Sequence, residues 1–136
     1  MIGKGAVLLC AVLLPALAGC PERTAVWVLP GSTGSHLEFG IASNRDGTSA
    51  VLIDVLRVNA CDSAGYGFTG ASWVLSRASD VNPPPTRVTY GQTPLGFRSE
   101  QGPRPLAVGC YDVAVSGTGR ERFQVRTDGA VVEVQP

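Results

Sequence analysis

The sequence predicts an all-β domain, a small sandwich of about seven or eight short strands occupying residues 25–136. From residue 25 onward, apolar residues recur with a period near two, the spacing that puts alternate side chains on one face of a strand. Clusters of Gly, Pro, Asn and Asp interrupt these runs often enough to keep the strands short. No stretch carries a convincing long helical pattern. Many short strands with turn residues between them read as a sandwich or a barrel.

The first strand is Ala25-Val26-Trp27-Val28-Leu29, closed by Pro30-Gly31. The second runs from Leu37 to Ile41, with Leu37, Phe39 and Ile41 on one face, and Asn44-Arg45-Asp46-Gly47 follows as a turn. Residues 50–59 admit two readings. Val51, Ile53 and Val55 alternate and the phase then slips to Leu56 and Val58, which a β-bulge explains; a short helix would also align Leu52, Val55, Leu56 and Asn59. The abundance of β-branched residues favours the strand. Trp73–Arg77 and Arg87–Tyr90 are further strands, separated by a stiff Asn82-Pro83-Pro84-Pro85. The segment Gly91–Pro105, with Pro94, Gly96, Pro103 and Pro105, is expected to be an irregular loop. Tyr111, Val113 and Val115 then alternate with Asp112, Ala114 and Ser116. Phe123 and Val125 precede a Thr127-Asp128-Gly129 hairpin turn, and Val132 and Val134 lie beyond it.

The amino-terminal residues follow another logic. Lys4 precedes an apolar run from Gly5 to Leu17, 13 positions that fall short of the roughly 20 needed to span a bilayer. They match the core of a secretory signal, to be set aside before the fold is read. Leu17-Ala18-Gly19-Cys20 resembles the lipobox of bacterial prolipoproteins: an aliphatic residue, two small ones and a cysteine. Small side chains let an intramembrane peptidase grip extended backbone, and the thiol takes the lipid. The resemblance implies that residues 1–19 are removed, that Cys20 carries a diacylglyceryl group such as one bearing palmitate, and that its new amino group is acylated. Pro21, where Asp would favour retention at the inner membrane, points to the outer membrane, with the domain facing the periplasm. Residues 20–24 form the lipidated terminus and a very short tether. The remaining 117 residues suffice for one core, since a domain of that size buries about two-thirds of its unfolded surface.

Cys10 leaves with the signal and Cys20 takes the lipid, so Cys61 and Cys110 remain as a pair in an oxidising compartment. A disulfide is expected. The alternatives are two free thiols, or metal ligation with His36, the only histidine. That trio lacks the short ligand spacings of a zinc site, and no metal or cofactor is expected.

Leu106-Ala107-Val108-Gly109-Cys110-Tyr111-Asp112-Val113 resembles the L-x-x-G-x-Y-x-V run of bacterial immunoglobulin-like and fibronectin-like sandwich domains. The resemblance implies an immunoglobulin-like sandwich in which glycine opens a late strand, the Tyr111 hydroxyl fastens a corner and Trp73 is the core aromatic. In antibody-type domains the tyrosine stands two positions before the second cysteine, whereas Tyr111 directly follows Cys110. An antibody-type disulfide position is therefore not expected.

Lys4 is the only lysine, so the mature part holds 10 Arg against 11 Asp and Glu, with neither sign forming a block. Nucleic-acid binding, which draws most of its affinity from phosphate neutralisation, is not expected without a basic stripe. Catalysis finds no constellation. His36 stands beside Ser35 as a surface residue, no G-x-S-x-G elbow occurs, and Gly31-Ser32-Thr33-Gly34-Ser35 lacks the lysine of a phosphate-binding loop. A carboxylate pair such as Asp54 and Asp112 would act as acid and base only if the fold brought the two together. For binding, the aromatics Tyr66 and Phe68 in Asp62–Gly70 are candidates to meet a protein or glycan, or to tuck over the sandwich edge; Phe97 and Arg98 form a second candidate. The sequence thus leads to a non-catalytic, lipid-anchored envelope lipoprotein acting as a binding or accessory module. An inhibitor or chaperone-like partner of a secreted enzyme is the alternative, and an envelope hydrolase the third reading.

Overall fold

The computed structural model describes residues 23–61, 70–116 and 119–134. The expected signal segment 1–19, with Leu17, Ala18 and Gly19, and the expected lipidation site Cys20 lie outside those residues, as do Tyr66 and Phe68. Nine strands occur among the described residues: β1 (Ala25–Val28), β2 (Glu38–Ala42), β3 (Val55–Ala60), β4 (Trp73–Arg77), β5 (Arg87–Thr89), β6 (Phe97–Gln101), β7 (Gly109–Val115), β8 (Arg120–Val125) and β9 (Val131–Glu133). They form two antiparallel sheets, ordered β1-β2-β5 and β6-β4-β3-β7-β8-β9, packed as a β-sandwich. The smaller sheet and the β3-β7-β8 part of the larger correspond to the A-B-E and C-F-G orders of immunoglobulin-like sandwiches.

The alternation read from the sequence supplies the core. Phe39 and Ile41 of β2 face Leu56 and Val58 of β3, Val113 of β7 and Phe123 of β8, all fully shielded from water. Phe39 and Phe123 meet with ring centroids 5.8 Å apart, and Tyr111 stacks on Phe123 at 5.7 Å. On the outer face of the smaller sheet the Trp27 ring lies across Gly40, its register partner; a Cβ at that position would fall 2.4 Å from the ring. Only glycine fits there, so the ring shields the backbone of a strand that would otherwise be weakened by it.

Residues 50–59 contain no helix, and their change of phase is not a ladder bulge. Val51 and Ile53 are buried but precede the strand, which begins at Val55 and turns Leu56 and Val58 inward. The phase changes at Asp54, whose amide donates to Ser116 Oγ at 2.7 Å and whose carbonyl accepts from the Arg77 amide at 2.8 Å. The irregular loop expected over Gly91–Pro105 is a correction. Strand β6 lies within it, paired with β4 through a register shift at Val74/Leu75. Its glycines and prolines sit in the turns: Gly96 and Gly102 flank the strand at φ +88° and +69°, and a Cβ at Gly102 would strike the Ser72 carbonyl at 2.1 Å. As an edge strand β6 needs a ladder on one side only, which dense punctuation permits.

Cys61 and Cys110 form a disulfide across neighbouring strands of one sheet, where the Cys61 amide also donates to the Cys110 carbonyl at 3.0 Å. It does not bridge the two sheets as an antibody disulfide does. The open flank between β1 and β9 is closed by charge. The turn at residues 44–47, with Asp46 at φ +61°, presents Arg45 to Glu121 and Glu133, and Glu133 also accepts the Val28 amide of the β1 edge at 3.0 Å. Burial and the neighbouring Glu133 push the Glu121 carboxyl up against the opposing pull of Arg45. The stability linked to Glu121 is therefore present below the ordinary carboxylate range and lost as pH rises through its raised value.

Two outcomes are expected in equilibrium denaturation. Phe39→Ala removes the central inter-sheet ring and lowers stability by about 3–5 kcal/mol, read from the urea midpoint. Reduction of the Cys61–Cys110 bond, which closes a separation of 49 residues, costs roughly 4 kcal/mol on the chain-entropy model; before reduction, neither thiol reacts even in denaturant.

Candidate functional site

Three loops meet at the end of the sandwich to which β1, β3 and β8 run. The first follows β1. Gly31, at φ +83°, turns the chain after Pro30, and Ser32 Oγ donates to the Leu29 carbonyl at 2.8 Å while accepting the Glu38 amide at 3.1 Å. This returns the chain into β2 and leaves Thr33, Gly34 and Ser35 at the tip. The second is the β8–β9 hairpin. Asp128 accepts the Ala130 amide at 2.9 Å and Gly129 takes φ +87°, as the Thr-Asp-Gly signal requires. The two loops are joined by the Gly34 amide, which donates to the Gly129 carbonyl at 2.8 Å, and by a bridge between Thr33 and Ala130.

The third loop precedes β7. Tyr111 Oη accepts the Ala107 amide at 2.9 Å, the corner fastening that its sequence context implies. Gly109, at φ +147°, permits the sharp step into the strand and lifts Val108 outward, where it is 59% exposed. A groove of about 530 Å³ runs between these loops, lined by Thr33, Gly34, Ser35, Leu106, Val108 and the segment Val125–Gly129. A second recess of about 330 Å³ over the Cys61–Cys110 bond shares Val108 as its wall. The groove floor is aliphatic and its walls offer hydroxyls and backbone. Arg126 at its rim makes no ion pair among the described residues.

This end is held together behind the groove by Tyr90. Its ring packs on Trp73 at 5.0 Å, and its hydroxyl donates to the Arg104 carbonyl at 2.6 Å. Burial pushes the Tyr90 hydroxyl up to about 12. On the outer face of β7, buried Asp112 is gripped in bidentate fashion by Arg122, with nitrogen–oxygen distances of 3.0 and 3.3 Å.

The sequence candidates are placed as follows. Phe97 and Arg98 do not form a protruding loop: both lie on β6, Phe97 half-buried against the core and Arg98 held by Glu100 at 3.0 Å. Cys61 and Gly70, which flank residues 62–69, stand at the same end as the groove. The segment itself, with Tyr66 and Phe68, is outside the described residues. His36 is exposed, 3.7 Å from Glu38. Asp54 and Asp112 do not converge. Asp112 pairs with Asn59, and at about 3.4 Å per residue Asp54 lies on the order of 17 Å further along β3, against Arg77. Among the described residues no three His, Cys, Asp or Glu side chains are placed to hold a metal. The groove residues Thr33, Ser35, Leu106, Val108 and Arg126 were not candidates from sequence, because they come from three distant segments. The only local signals are the glycines that turn each loop. Compared with models of known families, with curated proteins and with solved structures, the chain matches none.

Because the folded state favours the neutral Tyr90 phenol, the associated stability is complete below its ordinary value near 10 and is lost as pH rises from there through about 12. Absorbance titration of Tyr90→Phe against the parent should therefore remove a tyrosine that ionises near 12. The variant should also unfold with a weaker dependence on pH above 10.

Proposed function

We propose that this chain is a non-catalytic lipoprotein of the bacterial envelope, anchored through acyl chains on Cys20, whose sandwich offers the groove at its far end to a protein partner. The observation that carries this reading is polarity. Thr24, four residues beyond Cys20, lies at the opposite end of the molecule from the groove, its carbonyl against Gly119 between β7 and β8. A domain hung from Cys20 would therefore hold the groove away from the bilayer. Two or three acyl chains at about 0.8 kcal/mol per buried methylene make such attachment effectively permanent.

The groove lining favours a peptide segment over a glycan. Sugars are gripped by aromatic faces, and this lining is aliphatic and hydroxylic with one arginine at its rim. The hydrogen bonds that pin the loops to each other reduce the ordering cost of binding. That rigidity would also suit an inhibitor of, or accessory to, a secreted enzyme, as a special case of the same surface.

In cells, Cys20→Ser should abolish fatty-acid labelling and release the protein from membranes. A photocrosslinker at Val108 should give a discrete adduct that the same group at Arg98, on the far sheet edge, does not. Persistent labelling would remove the anchor from Cys20, and equal crosslinking at both positions would remove the groove as the binding surface.

A further inference from the structure

The end of the sandwich opposite the groove carries its own exposed apolar residues. Leu95 is 82% and Leu52 42% exposed. A line of contacts running across the sheet from β6 to the β7–β8 turn places both at the end of the sandwich where β1 starts. Gly96, next to Leu95, accepts the Ala78 amide at 2.7 Å. The Arg77 amide donates to the Asp54 carbonyl, two residues from Leu52, at 2.8 Å, and the Asp54 amide donates to Ser116 Oγ at 2.7 Å. The Val115 amide in turn donates to the Gly119 carbonyl at 2.9 Å, and Gly119 abuts Thr24. With strands about 4.8 Å apart, the two leucines are separated by two strand spacings, on the order of 10 Å, on the rim from which the tether leaves.

We infer that Leu52 and Leu95 dip into the bilayer surface and fix the orientation of the domain on the membrane. This rests on the reading of Cys20 as the anchor. Thr24 stands four residues beyond Cys20, a reach of at most about 14 Å when extended, so this end of the domain is the one held near the bilayer surface. Tethering makes the contact intramolecular, so weak apolar burial is enough. Transfer of one leucine side chain shifts such an equilibrium by roughly tenfold or more.

The occupant is lipid, engaged through apolar contact and not through charge. The exposed carboxylates of this rim, Asp46, Asp54 and Asp80, each stand beside an arginine, Arg45 or Arg77. The charges nearest the two leucines are therefore paired, while Arg23 and Arg120 lie beside Thr24 and Gly119, where the tether leaves.

The test uses the full lipoprotein in phosphatidylcholine vesicles, with a fluorophore on Leu52→Cys, Leu95→Cys or, at the groove end, Thr127→Cys. Among the described residues no native cysteine is free to compete for label. Nitroxide-bearing lipid should quench positions 52 and 95 at least about threefold more than 127. Floating protein whose three positions quench alike overturns the inference and leaves the anchor standing. Shielding of 52 and 95 from aqueous iodide without quenching by lipid overturns it in favour of a second copy of the chain. Protein that carries no acyl group and does not float overturns the anchor and the inference together.

Discussion

Phe39 and Phe123 meet in the middle of the sandwich, one from each sheet, and the rest of the molecule is arranged to keep water from that contact. Phe39 is held by Leu37 and Ile41, its neighbours of the same parity, and Phe123 by Val125 on its own strand and by Tyr111, its register partner on β7. A slip of one residue in either sheet would turn this whole set outward. Register is therefore enforced by burial, and the loops inherit their positions from it.

The polar groups near the core serve that register. Tyr111 contributes its ring to the stack and its hydroxyl to the Ala107 amide, so one side chain fixes both a core layer and the approach to β7. Tyr90 does the same beneath Trp73, tying the segments around Ser72 and Arg104 to the smaller sheet. The disulfide adds a covalent staple where β3 and β7 end. These three fastenings lie at the groove end and hold the described loops there in place, which suits them to recognition as preformed loops.

The opposite end is finished differently. Its turns are held by Arg45 and Arg77 reaching exposed or half-exposed carboxylates, pairings that contribute little each because water competes for them. Leucines stand out between them. The contrast between a pinned, grooved end and an open, apolar one gives the domain a direction, and both functional proposals draw on it.

The strands were legible in the sequence because alternation is a local property: Trp73–Arg77 and the Tyr111–Val115 run read as strands from their own residues, and Thr-Asp-Gly as a turn from its own. The resemblance to a lipobox is local in the same way, resting on Leu17–Cys20 alone. Where neighbours decide, sequence reading failed. Strand β6 was hidden by the glycines and prolines around it, since only the free edge of β4 makes a strand there. Val108 and Thr33 gave no sign of sharing a groove, and Leu95 none of sharing a rim with Leu52. Such meetings depend on which strands pair across long separations, and that pairing is settled by burying both inner faces at once, a condition no short stretch of chain carries by itself.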